Sequence, residues 1–132
     1  MKKINNKGFS LVELIVVIAI MAVLIGVLAP QFIKYVQRSK VSTDIQNAEQ
    51  IASSINAAIA DGTTFTGITS GTAVSGGATV TGLDGVQSMP KPKVDTSYTW
   101  VVTFDNTNGV TNITLGGSQI YPDAAAYHTA ND

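Results

Sequence analysis

The chain has 132 residues, enough for one small domain plus whatever is spent outside a globular core. Apolar residues make up 45% and charged residues only 13%, low for a surface meant wholly for water. The formal net charge of −1 argues against a nucleic-acid-binding surface, and the absence of cysteine excludes thiol catalysis, thiolate zinc sites, haem attachment through a CxxC pair and disulfide staples.

Residues 1–8 read as a short basic leader carrying Lys2, Lys3 and Lys7. Without those lysines the remainder holds five basic and nine acidic side chains, formally −4. An apolar stretch occupies residues 9–30, with no charge between Leu14 and Ala29. From Phe9 to Ala29 it spans 21 residues, close to the ~20 that a helix needs to cross a bilayer's hydrocarbon. A basic leader followed by an apolar run is the layout of a membrane-targeting segment, with the lysines kept on the cytoplasmic side. A secretory signal would have a shorter apolar core and a small-residue cleavage site behind it. A plain single-pass anchor accounts for the layout but not for Glu13 or for the abrupt junction at Gly8. A lone carboxylate in such a helix costs about 2.5–3.5 kcal/mol at mid-bilayer and less near the interface, which marks Glu13 as a functional candidate.

The junction Gly8-Phe9-Ser10-Leu11-Val12-Glu13-Leu14 resembles the class III signal of type IV prepilins and pseudopilins, and the match runs from Lys7 to about Lys40. The resemblance implies a membrane peptidase that cuts after Gly8 on the cytoplasmic side and N-methylates Phe9, leaving Glu13 as the fifth processed residue. It also implies that the amine freed on Phe9 lies beside Glu13 of a neighbouring subunit in a helical filament. Two groups costly to bury alone would then neutralise each other and fix axial register. The short basic leader and the Phe are as in type IVa pilins and pseudopilins, and Pro30 falls where many members carry a helix-kinking proline. The absent disulfide loop places the resemblance nearer to the disulfide-free pilins of Gram-positive bacteria.

Residues 31–61 continue the helix. Val41, Ile45, Ala48, Ala52, Ile55 and Ile59 recur at three- and four-residue spacings as a one-sided apolar stripe, with Lys40, Asp44, Asn47 and Glu49 facing largely elsewhere. Asp61-Gly62 is the expected stop. From Phe9 the helix would reach about 75 Å at ~1.5 Å per residue. Ala19, Ala22, Gly26 and Ala29 permit close helix contact. Gly26 and Pro30 weaken the local hydrogen-bond ladder, making residues 22–30 the expected place for bending or melting on assembly. The cations Lys34, Arg38 and Lys40 follow the apolar run, on the side where the charge rule expects few.

Residues 62–97, rich in Gly, Thr and Ser, read as a connecting region with one short strand near 78–81, a short helix or turn near 83–88 and an extended Pro-Lys-Pro-Lys piece. Residues 98–132 read as sheet and tail. Tyr98, Trp100, Val102 and Phe104 share one face of a strand that should pack on the helix stripe. A turn at Asn108-Gly109, a returning strand over 110–115, a Gly116-Gly117 turn and a third strand over 118–121 follow. The fold class is thus α+β: a long N-terminal helix, membrane-spanning then amphipathic, against a small antiparallel β-meander.

No catalytic group, cofactor or metal site is expected. His128 is the only histidine and reads as an ordinary surface residue near a mobile end. Asp84 and Asp95 are too few for a calcium loop, and the Asn112-Ile113-Thr114 triplet sits inside an expected strand. The expected function is a major pilin polymerising into a type IV pilus for adhesion, surface motility or aggregation. The alternatives are a pseudopilin of a secretion or competence DNA-uptake system and, further off, a monomeric membrane-anchored binding protein. Partners would be further copies of the chain, the prepilin peptidase, the assembly platform and motor, and membrane lipid before assembly, with no specific nucleic acid. The chain would sit in the cytoplasmic membrane as a single-pass precursor and then in an extracellular filament.

Overall fold

The computed structural model describes residue 8 and residues 10–132, so the leader lysines and Phe9 lie outside the described residues. One helix, α1 (Leu11–Asp61), is followed by β1 (Ala73–Ser75), β2 (Thr99–Asp105), β3 (Gly109–Leu115), β4 (Ser118–Tyr121) and a short helix α2 (Ala125–Asn131). The chain divides into two units, Met1–Tyr35 and Val36–Asp132.

The described part of the first unit is helix with no core. Every side chain from Ser10 to Tyr35 is exposed, from 48% at Val17 to 73% at Leu11 and Tyr35 among the large apolar residues. Leu, Ile, Val, Met and Ala form the helix without difficulty, but nothing in the unit removes them from solvent.

The second unit is α+β as expected. Its helical part buries Val41, Asp44, Ala48, Ile51, Ile55 and Ala58, alternating steps of three and four, with Ala52 beside them. This seam meets Trp100 and Val102 of β2, Ile113 and Leu115 of β3, and Ile120 of β4, all within one core cluster. Each fully buried Ile or Leu stabilises by about 1.5–3 kcal/mol. The Trp100 indole donates to the Pro90 carbonyl at 2.8 Å, so the largest core side chain leaves no orphaned N–H.

The sheet is an antiparallel meander in the order β1-β2-β3-β4. The β2–β3 turn is held by Asp105, whose carboxylate accepts from the backbone N–H groups of Asn108 (2.6 Å) and Thr107 (2.8 Å) and from the Asn108 amide (3.1 Å). These bonds, Asn108's foremost, lower its pKa from the ordinary 3.8. Gly109 has φ +72°, and a Cβ there would collide with the Asn56 amide oxygen. The glycine thus lets Asn56 of α1 reach the Val110 N–H at 2.7 Å, tying helix to hairpin.

The connecting region is more ordered than its composition implies. The short strand lies at Ala73–Ser75, paired with β2, rather than at 78–81, where Thr79 and Thr81 make only isolated bridges to Ser88 and Thr66. The expected helix or turn near 83–88 is a turn, closed by the Val86 N–H on the Leu83 carbonyl at 3.4 Å. Ile68, Val74, Val80, Leu83, Val86 and Met89 are all buried. Gly67 and Gly82 sit where a Cβ would strike the carbonyls of Thr79 and Thr64, so these glycines serve close backbone approach rather than flexibility.

Two further readings of the sequence are corrected. Asp44, expected to face away from the core, is fully buried. Its carboxylate accepts from the N–H groups of Lys93 (2.8 Å) and Val94 (3.1 Å) and from the Tyr127 hydroxyl (2.7 Å). Among the described residues no cation pairs with it, so neutral dipoles alone offset its desolvation. The expected mobile tail contains α2, whose Tyr127 is fully buried and whose Asn131 carbonyl accepts from Gln37 of α1 at 2.9 Å. Burial first, then the hydrogen bond to Asp44 and its charge, push the Tyr127 phenol well above its ordinary 10.0.

Asp44→Ala orphans three donors at once, an expected loss of about 3 kcal/mol, with about 1–2 kcal/mol for Tyr127→Phe. Thermal unfolding of the detergent-solubilised chain, followed by near-ultraviolet circular dichroism at Trp100, measures both. The raised phenol also sets an alkaline limit. Above about pH 10 the unfolded chain releases the Tyr127 proton and the folded chain keeps it, so stability is full below that pH and falls as pH rises further. Denaturant midpoints between pH 8 and 12 should show that decline, and Tyr127→Phe should reduce it.

Candidate processing and assembly segment

Ser10 and Glu13 begin α1 as a reciprocal pair. The Ser10 hydroxyl accepts from the Glu13 N–H at 3.2 Å, and the Glu13 carboxylate accepts from the Ser10 N–H at 3.3 Å. This Ser-x-x-Glu arrangement is a capping box, which satisfies donors that a helix N-terminus otherwise leaves open. Its acidic member also lies in the first turn, where the helix dipole favours negative charge. The sequence reading treated Glu13 as a lone carboxylate. The signal was present in Ser10, three residues upstream, and was passed over.

Gly8 is exposed, two residues before the cap, while Phe9, the other half of the expected processing junction, lies outside the described residues. Among the described residues the helix begins at Leu11, with Ser10 as its cap. Glu13 forms no ion pair among them.

Gly26 and Pro30 lie four residues apart inside unbroken α1. Pro30 has no N–H, so the Gly26 carbonyl has no donor in the i→i−4 ladder, and the proline ring crowds the same carbonyl. Among the described residues a Cβ on Gly26 would meet nothing within 4 Å beyond its own stretch of helix backbone. Ala19, Ala22, Gly26 and Ala29 fall on one side of the helix at steps of three, four and three.

Among the described residues no group of three or more His, Asp or Glu side chains could hold a metal ion. His128 pairs with Asp132, four residues on, at 3.0 Å. Asn112 lies in β3, with its amide oxygen buried and unpartnered.

An apolar helix of membrane-spanning composition, headed by a capped carboxylate and followed by an α+β unit, defines a pilin-like protein. A family profile described as the prokaryotic N-terminal methylation motif matches residues 3–29. The chain is 30% identical over 109 residues to the prepilin peptidase-dependent protein A of Clostridium perfringens, a match covering 74% of this chain and 78% of that protein. It belongs to the type IV prepilin-like family. Two type IV major fimbrial proteins FimA of Dichelobacter nodosus are 37% and 38% identical over 57 residues, 43% of this chain. That match spans only 36% of the fimbrial proteins' own length. No solved structure matches the chain.

The capping box can be separated from the charge of Glu13. Glu13→Gln keeps a side chain able to accept the Ser10 N–H, whereas Glu13→Ala and Ser10→Ala each remove half of the box. Amide hydrogen exchange in micelles should speed up at residues 11–14 in both alanine variants, by roughly the fivefold that corresponds to ~1 kcal/mol, and stay close to wild type in Glu13→Gln.

Proposed function

We propose that the processed chain is the major subunit of a type IV pilus used for adhesion, surface motility or aggregation. The observation that carries this reading is the apolar helix through Tyr35, exposed on all sides and without a charge between Leu14 and Ile33. Such a surface needs lipid before assembly and like helices afterwards. In that scheme the prepilin peptidase cuts after Gly8 and methylates Phe9, and an assembly platform and motor move the subunit from the cytoplasmic membrane into the filament. The new amine on Phe9 meets Glu13 of a neighbouring copy and sets axial register, the pairing of two groups expensive to bury apart. The face holding Ala19, Ala22, Gly26 and Ala29 admits close neighbours. The ladder gap between Gly26 and Pro30 is where α1 bends or opens when lipid is exchanged for protein.

Filament yield from cells lacking the wild-type chain tests the register pairing. Both Glu13→Ala and Glu13→Gln are expected to be processed at Gly8 and to give few filaments, because each removes the charge. A normal yield from Glu13→Gln would show that Glu13 serves only to cap the helix. Processed wild-type chain that stays with the envelope and never forms shed filaments would instead indicate a pseudopilin.

A further inference from the structure

Asn108-Gly109 is the only Asn-Gly pair in the chain, and Asn108 is exposed at the end of the β2–β3 hairpin. Glycine carries no Cβ to hinder its own backbone nitrogen, so this pair is the best placed in the chain for attack on an asparagine side chain. The step balances with water and hydroxide alone. Hydroxide removes the Gly109 amide proton, the nitrogen bonds to Asn108 Cγ, and the Cγ–Nδ2 bond breaks. Nδ2 leaves as ammonia, taking a proton from water. A water molecule then opens the cyclic imide at either carbonyl, giving aspartate or isoaspartate at 108.

In the closed hairpin each part of that step meets Asp105. Its carboxylate accepts from the Asn108 N–H at 2.6 Å and from Nδ2, the nitrogen that would leave, at 3.1 Å. Two bonds to one carboxylate fix the side chain, so Cγ is not free to seek the Gly109 nitrogen. Gly109 is also the ladder partner of Asp105, so a nitrogen anion there would form beside a carboxylate, and like charges disfavour ionisation. The hydrogen bonds that lower the Asp105 pKa, Asn108's foremost, keep it an acceptor with no proton to give the departing ammonia. We propose that Asn108 is a site of spontaneous succinimide formation and deamidation, that Asp105 suppresses it while the hairpin is closed, and that the modification marks chains in which the hairpin has opened. The mark resists reversal. A carboxylate at 108 repels Asp105 and lacks the Nδ2 donor, and isoaspartate lengthens the main chain at the turn. That added length displaces Gly109 and Val110 from Asn56, whose amide oxygen accepts from the Val110 N–H at 2.7 Å.

Peptide mapping of the full chain in detergent micelles, aged in mildly alkaline buffer, reads aspartate plus isoaspartate at 108. In the folded wild-type chain they should accumulate roughly tenfold more slowly than in the same chain unfolded in guanidinium chloride. In the unfolded chain Asn108 should be the first asparagine modified. Asp105→Ala removes the carboxylate altogether. Asp105→Asn keeps an oxygen for the Thr107 and Asn108 N–H groups but sets an amide nitrogen against Nδ2, so it frees the Asn108 side chain within a closed turn. Both variants should be modified several-fold faster than wild type while the near-ultraviolet signal of Trp100 stays native, and Asp105→Asn decides the matter if Asp105→Ala unfolds. Equal rates in folded and unfolded wild-type chain overturn the suppression. A wild-type rate in natively folded Asp105→Asn overturns the part assigned to the carboxylate. Modification of another asparagine ahead of Asn108 in the unfolded chain overturns the site itself.

Discussion

An apolar helical surface from Leu11 to Tyr35 that its own unit leaves wholly uncovered is the constraint from which the rest follows. Leaving so many Leu, Ile and Val side chains in water is unfavourable by about 25 cal/mol for each Å² of apolar area, and no rearrangement within a bare helix can bury them. The remedy must come from outside the chain, from lipid or from other helices. In either surrounding, uncompensated polar groups become expensive. Two polar exceptions before Gln31 are therefore informative: Glu13 at the capped start, and the Gly26 carbonyl left without a donor by Pro30.

The folded second unit meets a different requirement, to be stable without disulfides at a small size. Polar ties between α1 and later segments contribute, three of them crossing about fifty residues or more of sequence. Asn56 holds the Val110 N–H, Asp44 gathers Lys93, Val94 and Tyr127, and Gln37 holds the end of α2. Asp44 is the costliest of these, a buried carboxylate with dipoles but no cation around it. It fixes one arrangement of the Pro-Lys-Pro-Lys segment and α2 on the helix, because sliding either element would leave the charge unsolvated.

Much of this was legible in the sequence. The long apolar helix, the helical stripe and the three strands between 99 and 121 follow from periodicity and turn chemistry. Asp44 was misjudged because a carboxylate at a seam position looks like a break in the apolar stripe, and the donors that rescue it come from residues 93, 94 and 127. The Ile68, Val74, Val80, Leu83 and Met89 side chains were passed over because they are single apolar residues in a Gly/Thr background, with neither period 2 nor period 3.6. Their burial depends on glycine crossings that only the fold reveals. α2 is barely two turns of Ala-rich sequence, too short to stand without the contact Tyr127 makes. Ser10, by contrast, carried a local signal that could have been read, since Ser-x-x-Glu before an apolar run marks a helix start.

The most direct measurement is intact-mass analysis of material sheared from cells that make the protein, with negative-stain electron microscopy of the same fraction. If the uncovered helix exists to be packed against its own kind, thin filaments should be abundant and composed mainly of a chain beginning at N-methylated Phe9. A sheared fraction without filaments, with the chain retained in the envelope and its leader still attached, would contradict that and leave the helix as a simple membrane anchor.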